Sequence, residues 1–257
     1  MKNLLHVLIG LTSLFLISCS SQKQLTPSVQ KMTAKFDFAP PTQAAIGAAN
    51  MSIVLIKPTF ISANAEYLVS PFPEMSLNMG NDFQELLAAK GFTMRGPFKT
   101  KDEMVFNDKV NSSFILEVQI DLDPKYTVNL TKHSKTGVAN LLLASQPLAY
   151  ITYSADGTVT FGGNLVLTAS SPQYGEKIWK KSIALDKSTV SYVGTVQWNG
   201  TPTMAEQLNQ DPAVYNAIAK ELEKVYINSL NLVWKQIEPE EMKIVTEQAK
   251  KADKKGN

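Results

Sequence analysis

A regular alternation of apolar and polar residues from Phe114 to Leu122 constrains the fold of this 257-residue chain more than any other feature. Apolar side chains occupy every second position, and Glu117, Gln119 and Asp121 lie between them. A period of two residues is typical of a β-strand, whose side chains point alternately to its two faces. The segment therefore predicts a strand with one buried and one solvated face, in a sheet that other elements cover on one side.

The alternation resumes after Asp123-Pro124, a residue pair that is typical of turns. The apolar positions of this second segment are Tyr126, Val128 and Leu130, and the polar positions are Lys125, Thr127, Asn129 and Thr131. We expect a hairpin in which the second strand exposes these four polar side chains to solvent.

Other segments predict further strands. The pair Asp156-Gly157 is a strong hairpin signal and predicts a turn between two strands. Gly162-Gly163 falls inside an apolar strand pattern, where a bulge is the expected structure. The remaining strands are expected at residues 51–60, 92–98, 150–153, 158–168, 177–185 and 190–198.

Two helices are expected. An apolar stripe over residues 76–90 ends at Gly91, which is a favourable C-terminal cap. Asp211-Pro212 provides an N-cap followed by proline at the first helical position, and a helical stripe continues from there to Ile237. Together the patterns predict an α+β fold, with a mainly antiparallel sheet, an early helix and a long C-terminal helix packed on it.

The N-terminal residues indicate export. Lys2 precedes an apolar run, and Leu16-Ile17-Ser18-Cys19 has the lipobox pattern of an aliphatic residue, a small residue and cysteine. The run is too short for a confident membrane-spanning helix, although an uncleaved N-terminal anchor is the alternative. Cys19 is the only cysteine, so an internal disulfide is excluded and lipid attachment explains the residue. Ser20, in place of the aspartate that retains many lipoproteins in the inner membrane, favours the outer membrane.

The composition along the chain predicts four regions. Residues 1–18 are the lipoprotein signal peptide, and residues 19–50 form a lipidated tether that is rich in Ser, Gln, Thr, Pro and Ala. Residues 51–238 form a single α+β domain, because all the patterned segments fall there. Residues 239–257 begin at Pro239 and are expected to form a charged C-terminal tail.

The residues suggest binding rather than catalysis. The 25 basic and 23 acidic residues are nearly balanced, which disfavours a nucleic-acid partner. After signal-peptide removal, the chain has one histidine, His133, and no free thiol, so a Cys–His pair and most zinc sites are excluded. We therefore expect no metal, no cofactor and no enzymatic activity, although folding could still pair two carboxylates. His133, beside Lys132 and Lys135, is either a solvated loop residue or a contact to an anionic ligand.

Several segments, in the same order along the chain, resemble the neuraminyllactose-binding haemagglutinin family. These proteins are outer-membrane and flagellar-sheath lipoproteins that are described as adhesins. The resemblance implies an outer-membrane or flagellar-sheath location and a sialylated glycan as ligand. The matching segments are residues 34–40, 53–60, 83–92, 123–127, 159–185 and 217–237.

The proposed sialic-acid motif of that family is Lys-Arg-Thr-Ile-Gln-Lys, and residues 125–132 correspond to it. The resemblance implies that the ligand contacts are Lys125, Thr127, Asn129 and Lys132. Tyr126 takes the place of the motif's arginine, which could hold a carboxylate with two parallel hydrogen bonds. Any sialic-acid carboxylate must then be bound by lysines, so we expect binding that is weak, salt-sensitive and dependent on Lys125 and Lys132.

A second function class remains open. The polar face of the expected hairpin is also what an ordinary solvated strand shows. A structural or assembly lipoprotein could instead bind an envelope or flagellar-sheath protein through a helix or an unpaired sheet edge. For exposed glycan contact by an aromatic side chain, Trp198 is the best candidate, since Trp179 and Trp234 fit a core pattern.

Overall fold

A computed structural model describes residues 29–132, 151–198 and 204–255 of the chain. One compact unit begins at Lys31. In the described ranges the chain forms six strands and five α-helices, with short 3-10 helices at Ala65–Tyr67 and Lys101–Glu103. The strands are β1 Ser52–Phe60, β2 Thr93–Phe98, β3 Phe114–Leu122, β4 Lys125–Lys132, β5 Ile151–Ser170 and β6 Lys177–Trp198. The helices are α1 Phe72–Ala89, α2 Phe106–Val110, α3 Met204–Gln210, α4 Pro212–Gln236 and α5 Pro239–Lys255.

The α+β class is confirmed, but the sheet is mixed rather than mainly antiparallel. Strand β1 pairs in parallel with β2 on one side and with β3 on the other. Strand β5 pairs antiparallel with β3, β4 and β6. The parallel pairs arise because helical segments connect β1 to β2 and β2 to β3, which lets the chain return to the same end of the sheet.

The expected hairpin at Asp123-Pro124 is wrong. Strands β3 and β4 run in the same direction and both pair with β5, and the register continues unchanged from Leu122 opposite Gly163 to Lys125 opposite Thr160. Proline lacks the N–H that a ladder hydrogen bond needs, so the pair interrupts a strand here instead of reversing it.

The expected hairpin at Asp156-Gly157 is also wrong, because both residues lie inside the 20-residue strand β5. A glycine is needed there because β4 approaches closely. A Cβ on Gly157 would lie 1.9 Å from the carbonyl oxygen of Thr127. The real reversal is the expected turn-rich stretch at residues 171–176, where the Ser171 N–H donates to the Glu176 carbonyl (2.8 Å).

Strand β6 is one strand of 22 residues, where two shorter strands were expected. The register between β5 and β6 shifts between Phe161 and Gly163, which confirms the bulge at Gly162-Gly163. Two residues of β6, Asp186 and Lys187, lie opposite the single residue Gly162 at this shift. The bulge therefore interrupts the long β5–β6 hairpin near its middle.

One face of the sheet, the inner face, packs against helices α1, α4 and α5. Its core includes the apolar side of β3 and the expected stripe of α1, with Met79, Phe83 and Leu86 fully buried. A smaller cluster of Val54, Ile56, Met104 and Ile115 covers the opposite face near β1 only. The expected cap of α4 is confirmed, since Asp211 Oδ1 accepts from the Ala213 N–H (2.8 Å).

Residues 31–50, which we call the N-terminal strap, pack on the helices although they were expected in the tether. Phe36 and Phe38 are buried. The Phe38 N–H donates to Oδ2 of Asp82 (2.7 Å), and the Tyr226 hydroxyl donates to the same oxygen (2.5 Å). One buried carboxylate on α1 thus joins the strap to α4.

The C-terminal residues also differ from expectation, because most of the expected charged tail is helix α5. Met242, Val245, Ala249 and Ala252 are buried, at spacings of three and four residues that form one helical stripe. The abundant lysines and glutamates on the other side of the helix obscure this stripe in the sequence. Contact with the sheet includes a hydrogen bond from Trp179 Nε1 to Glu241 Oε1 (2.9 Å).

Candidate functional site

Within the described residues, the side of the sheet opposite the helices is open over β4 and over the parts of β5 and β6 that lie beside it. We call this surface the outer face. The expected alternation in β4 is confirmed, since its polar side chains are exposed and its apolar ones are half-buried. The outer face comprises Lys125, Thr127, Asn129, Thr131, Ser154, Asp156, Thr158, Thr160, Thr189, Ser191, Val193 and Thr195.

Hydrogen bonds between strands order this polar surface. The hydroxyls of Thr127 and Thr158 lie 2.7 Å apart, and those of Thr160 and Thr189 lie 3.1 Å apart. Asn129 Nδ2 donates to Oδ2 of Asp156 (3.1 Å). The Thr127 hydroxyl also contacts the backbone oxygen and N–H of Thr158, whereas the other hydroxyls keep donor or acceptor capacity toward solvent. The outer face therefore presents fixed rows of polar groups, most of them neutral, that could bind a polyhydroxylated ligand.

Tyr126 points away from the outer face, as its position in the alternation predicts. Its ring packs 5.9 Å from the ring of Tyr67, and Asn209 Nδ2 donates to its hydroxyl at 3.5 Å. Burial raises the pKa of Tyr126 above its ordinary value, so the phenol stays neutral. The residue in the position of the family's arginine thus cannot contact a ligand on the outer face.

The structure does not bring the two expected lysine contacts together. Lys125 and Lys132 are the first and last residues of β4. Their positions differ by seven residues of extended strand, which is about 23 Å. They also point to opposite sides of the strand, because their positions differ by an odd number. One carboxylate therefore cannot bind to both lysines, and their joint role would require a ligand of several sugar units.

A cleft lies at the interruption between β3 and β4, where Gly162-Gly163 provides no side chain. Its volume is about 270 Å³ and its lining includes Lys125, Thr160 and Lys187. Asp123 also lines it, with Oδ2 at 3.7 Å from Lys125 Nζ. We call this cleft the glycine notch. Lys125 of β4 and Lys187 of β6 lie at its two sides, with strand β5 between them.

Sequence reasoning missed Lys187, Thr158 and Thr160, because it placed β4 in a hairpin with β3 rather than beside β5. The polar positions at alternate residues of β5 were a usable signal once that pairing was known. Cys19, His133 and Lys135 lie outside the described residues, as does the side chain of Trp198. Trp179 and Trp234 are half-buried against the core, as expected.

Nowhere in residues 29–132, 151–198 or 204–255 do three or more potential metal-ligating side chains cluster. Among the helices within those ranges, none combines the length and the apolar character that crossing a bilayer requires.

No protein-family model matches the chain, and no curated protein matches its sequence. Among solved structures, a neuraminyllactose-binding hemagglutinin homolog of Helicobacter pylori has a TM-score of 0.57 at 14% identity. The match covers 87% of this chain and 100% of that one, and it shows a shared fold. A lipoprotein of Neisseria meningitidis matches with a TM-score of 0.24 at 12% identity, over 66% of this chain and 99% of its own. A protein of Xanthomonas campestris has a TM-score of 0.30 at 11% identity, over 79% and 94%.

Proposed function

We propose that this chain is a lipid-anchored, non-catalytic protein of the bacterial outer membrane that binds glycans through the outer face. The observation that carries the proposal is the contrast between the sides of one sheet. Helices bury the inner face, while ordered hydroxyl and amide groups of β4, β5 and β6 remain in solvent. The lipobox at Cys19 and the fold shared with a hemagglutinin homolog support the same function.

The chemistry of the outer face suits sugars. Threonine and serine hydroxyls can both donate and accept, so they can pair with sugar hydroxyls in either sense. Val193 lies opposite Asp156 and is 75% exposed, so it offers an apolar contact for the C–H face of a sugar ring. The hydrogen bonds between strands hold the polar groups in place before binding, which reduces the entropy that a ligand must overcome.

A glycan titration tests the proposal. The mature chain with Cys19→Ala, purified without lipid, is titrated calorimetrically with sialylated lactose. A Thr127→Val, Thr158→Val variant keeps the shape of both side chains but removes the paired hydroxyls, and it should lose most of the affinity. Thr93→Val, at an exposed threonine of β2, is the matched control and should bind normally. Equal binding by all three proteins would remove the outer face as the binding surface.

Lipidation at Cys19 is tested separately. Mass spectrometry of the native mature N-terminus should show an acylated cysteine. A Cys19→Ala protein should leave the membrane fraction, because no acyl chain would hold it there. If that variant still partitions fully with membranes, the anchor is not at Cys19.

An assembly lipoprotein that binds another envelope protein is the second candidate function. It is favoured by three apolar side chains at helix α2, Val105, Phe106 and Val110, which are 61%, 81% and 47% exposed. Such a patch is typical of a protein contact. Protease treatment of intact cells separates the two functions, since adhesion requires a surface-facing domain. A domain that is protected until the outer membrane is opened, together with loss of function in Phe106→Asp, would favour the assembly role.

A further inference from the structure

The glycine notch combines a glycine pair, a β-bulge and Lys187, and the family resemblance does not predict that they come together. Gly162 lies in the middle strand, and its missing side chain leaves a depression between the two neighbouring strands. Even a Cβ at this position would lie 3.0 Å from the Cα of Lys187. The bulge that displaces Lys187 from the regular ladder therefore also places it at the wall of the notch.

Charge makes the notch different from the rest of the outer face. Lys125 and Lys187 lie on strands that are two strand spacings apart, about 10 Å, so their flexible stems can converge above Gly162. Lys125 is 73% exposed and only loosely paired with Asp123 at 3.7 Å. Lys187 has no salt bridge within the described part of the chain. Two lysines and one carboxylate, that of Asp123, thus line one small depression, which leaves an excess of positive charge.

We infer that the glycine notch is the subsite for the acidic group of a glycan, with Lys125 and Lys187 binding one carboxylate. The inference rests on the proposed glycan-binding function and names the residues that recognise an acidic sugar. The notch, at about 270 Å³, is smaller than the clefts that enclose whole drug-sized ligands, so it suits one sugar unit. The hydroxyl rows beside it would then contact the neutral sugars of the same glycan.

The subsite assigns different roles to lysines that the family motif treats alike. Lys132 lies at the far end of β4, about 23 Å from the notch, and contributes nothing to the carboxylate contact. Lys187, which is outside the motif, contributes as much as Lys125. Exposed ion pairs are individually weak, so each lysine should account for about a threefold change in affinity.

The test compares two ligands that differ only in the acidic sugar. The mature Cys19→Ala chain and its lysine variants are titrated with sialylated lactose and with lactose at low salt. Lys125→Gln and Lys187→Gln should each weaken binding of the sialylated ligand about threefold, and together about tenfold. Neither should change binding of lactose. Lys132→Gln and Lys180→Gln, at exposed lysines away from the notch, are the controls and should bind both ligands normally.

The outcomes separate the two proposals. If the protein binds both ligands but the lysine variants keep the full preference for the acidic one, the notch is not the acidic subsite and glycan binding stands. Equal affinity of the unaltered protein for both ligands would likewise overturn the subsite and leave glycan binding in place. If it binds neither ligand at any salt concentration, glycan binding itself is wrong and the subsite with it. Thermal unfolding of each variant checks that the fold is intact.

Discussion

The two faces of strand β5 differ strongly in burial and polarity. Phe161 is fully buried on the inner face and packs edge-on against Phe72 of α1, with ring centroids 5.8 Å apart. Thr160, the preceding residue, points to the outer face and shares a hydroxyl contact with Thr189 of β6. One strand thus supplies apolar packing on one side and solvated polar groups on the other. Because the inner face holds the fold together, the outer face can carry polar residues without loss of core packing.

Substitution of Phe161 and of its neighbour Thr160 should give the largest difference in the free energy of unfolding. Phe161→Ala removes a buried ring and leaves a cavity, which should lower the free energy of unfolding by about 3–5 kcal/mol. Thr160→Ala should change it by less than about 0.5 kcal/mol, since the side chain is on the surface. Denaturant unfolding of both variants measures the difference. Similar losses at both positions would show that the outer face also stabilises the fold.

Gly157→Ala should displace β4 and leave the inner face of β5 in place, so it tests the contribution of the outer face separately. The new Cβ would lie 1.9 Å from the Thr127 carbonyl oxygen, so β4 must move away from β5. We expect a loss of about 1–3 kcal/mol in unfolding free energy, together with weaker glycan binding. Gly162→Ala meets its neighbour at 3.0 Å and should be milder. A Gly157→Ala protein with normal stability and binding would contradict the close approach of the two strands.

Asp82 connects the N-terminal strap to helix α4 on the inner side of the sheet. Substitution of Asp82 should therefore change stability without changing the outer face. Asp82→Ala leaves the Phe38 N–H and the Tyr226 hydroxyl without their acceptor, which should cost about 1–3 kcal/mol. Asp82→Asn should be milder, because both donors use the same oxygen and an amide oxygen can replace it. Chemical denaturation measures the loss, and glycan affinity should be unchanged in both variants. Reduced affinity would mean that the two sides of the sheet are coupled.

The same carboxyl predicts a pH effect. Burial is the main cause that raises the pKa of Asp82 above its ordinary value, against the opposing hydrogen bonds. The folded state therefore binds the proton more tightly than the unfolded state. The stability that this group contributes is present below the unfolded pKa of about 4 and is lost as the pH rises through the folded pKa. Asp82→Asn should gain stability relative to the unaltered protein as the pH rises from about 4 to about 7, and the opposite trend would contradict this assignment.

Local periodicity predicted which side chains face solvent in β4, α1 and α4, although it missed the buried stripe of α5. The exposed positions of β4, the buried stripe of α1 and the Asp211 cap all follow from spacings within a single element. The spacing of apolar residues within one element shows which of its faces is buried, so this information can be read from the sequence of that element alone.

Strand pairing could not be predicted in the same way. Alternation determines the face of β4 but not its neighbour, and the actual neighbour, β5, is about 30 residues away in sequence. Asp123-Pro124 and Asp156-Gly157 carry the chemistry of turns, yet tertiary packing uses one as a strand interruption and the other as a point of close contact. For that reason the sequence did not predict that Lys187 lies near Lys125, across strand β5. Only the register of the long β5–β6 hairpin places it there.

A residue-by-residue map of glycan contact tests the central claim most directly. The mature Cys19→Ala chain is labelled with ¹⁵N and titrated with sialylated lactose while backbone amide shifts are recorded. We expect progressive shifts in residues 125–131, 154–160 and 187–195, all of which lie in β4, β5 and β6. Helices α1 and α4 on the opposite side should be unaffected. Shifts confined to those helices would place the binding surface on the wrong side of the sheet and contradict the account.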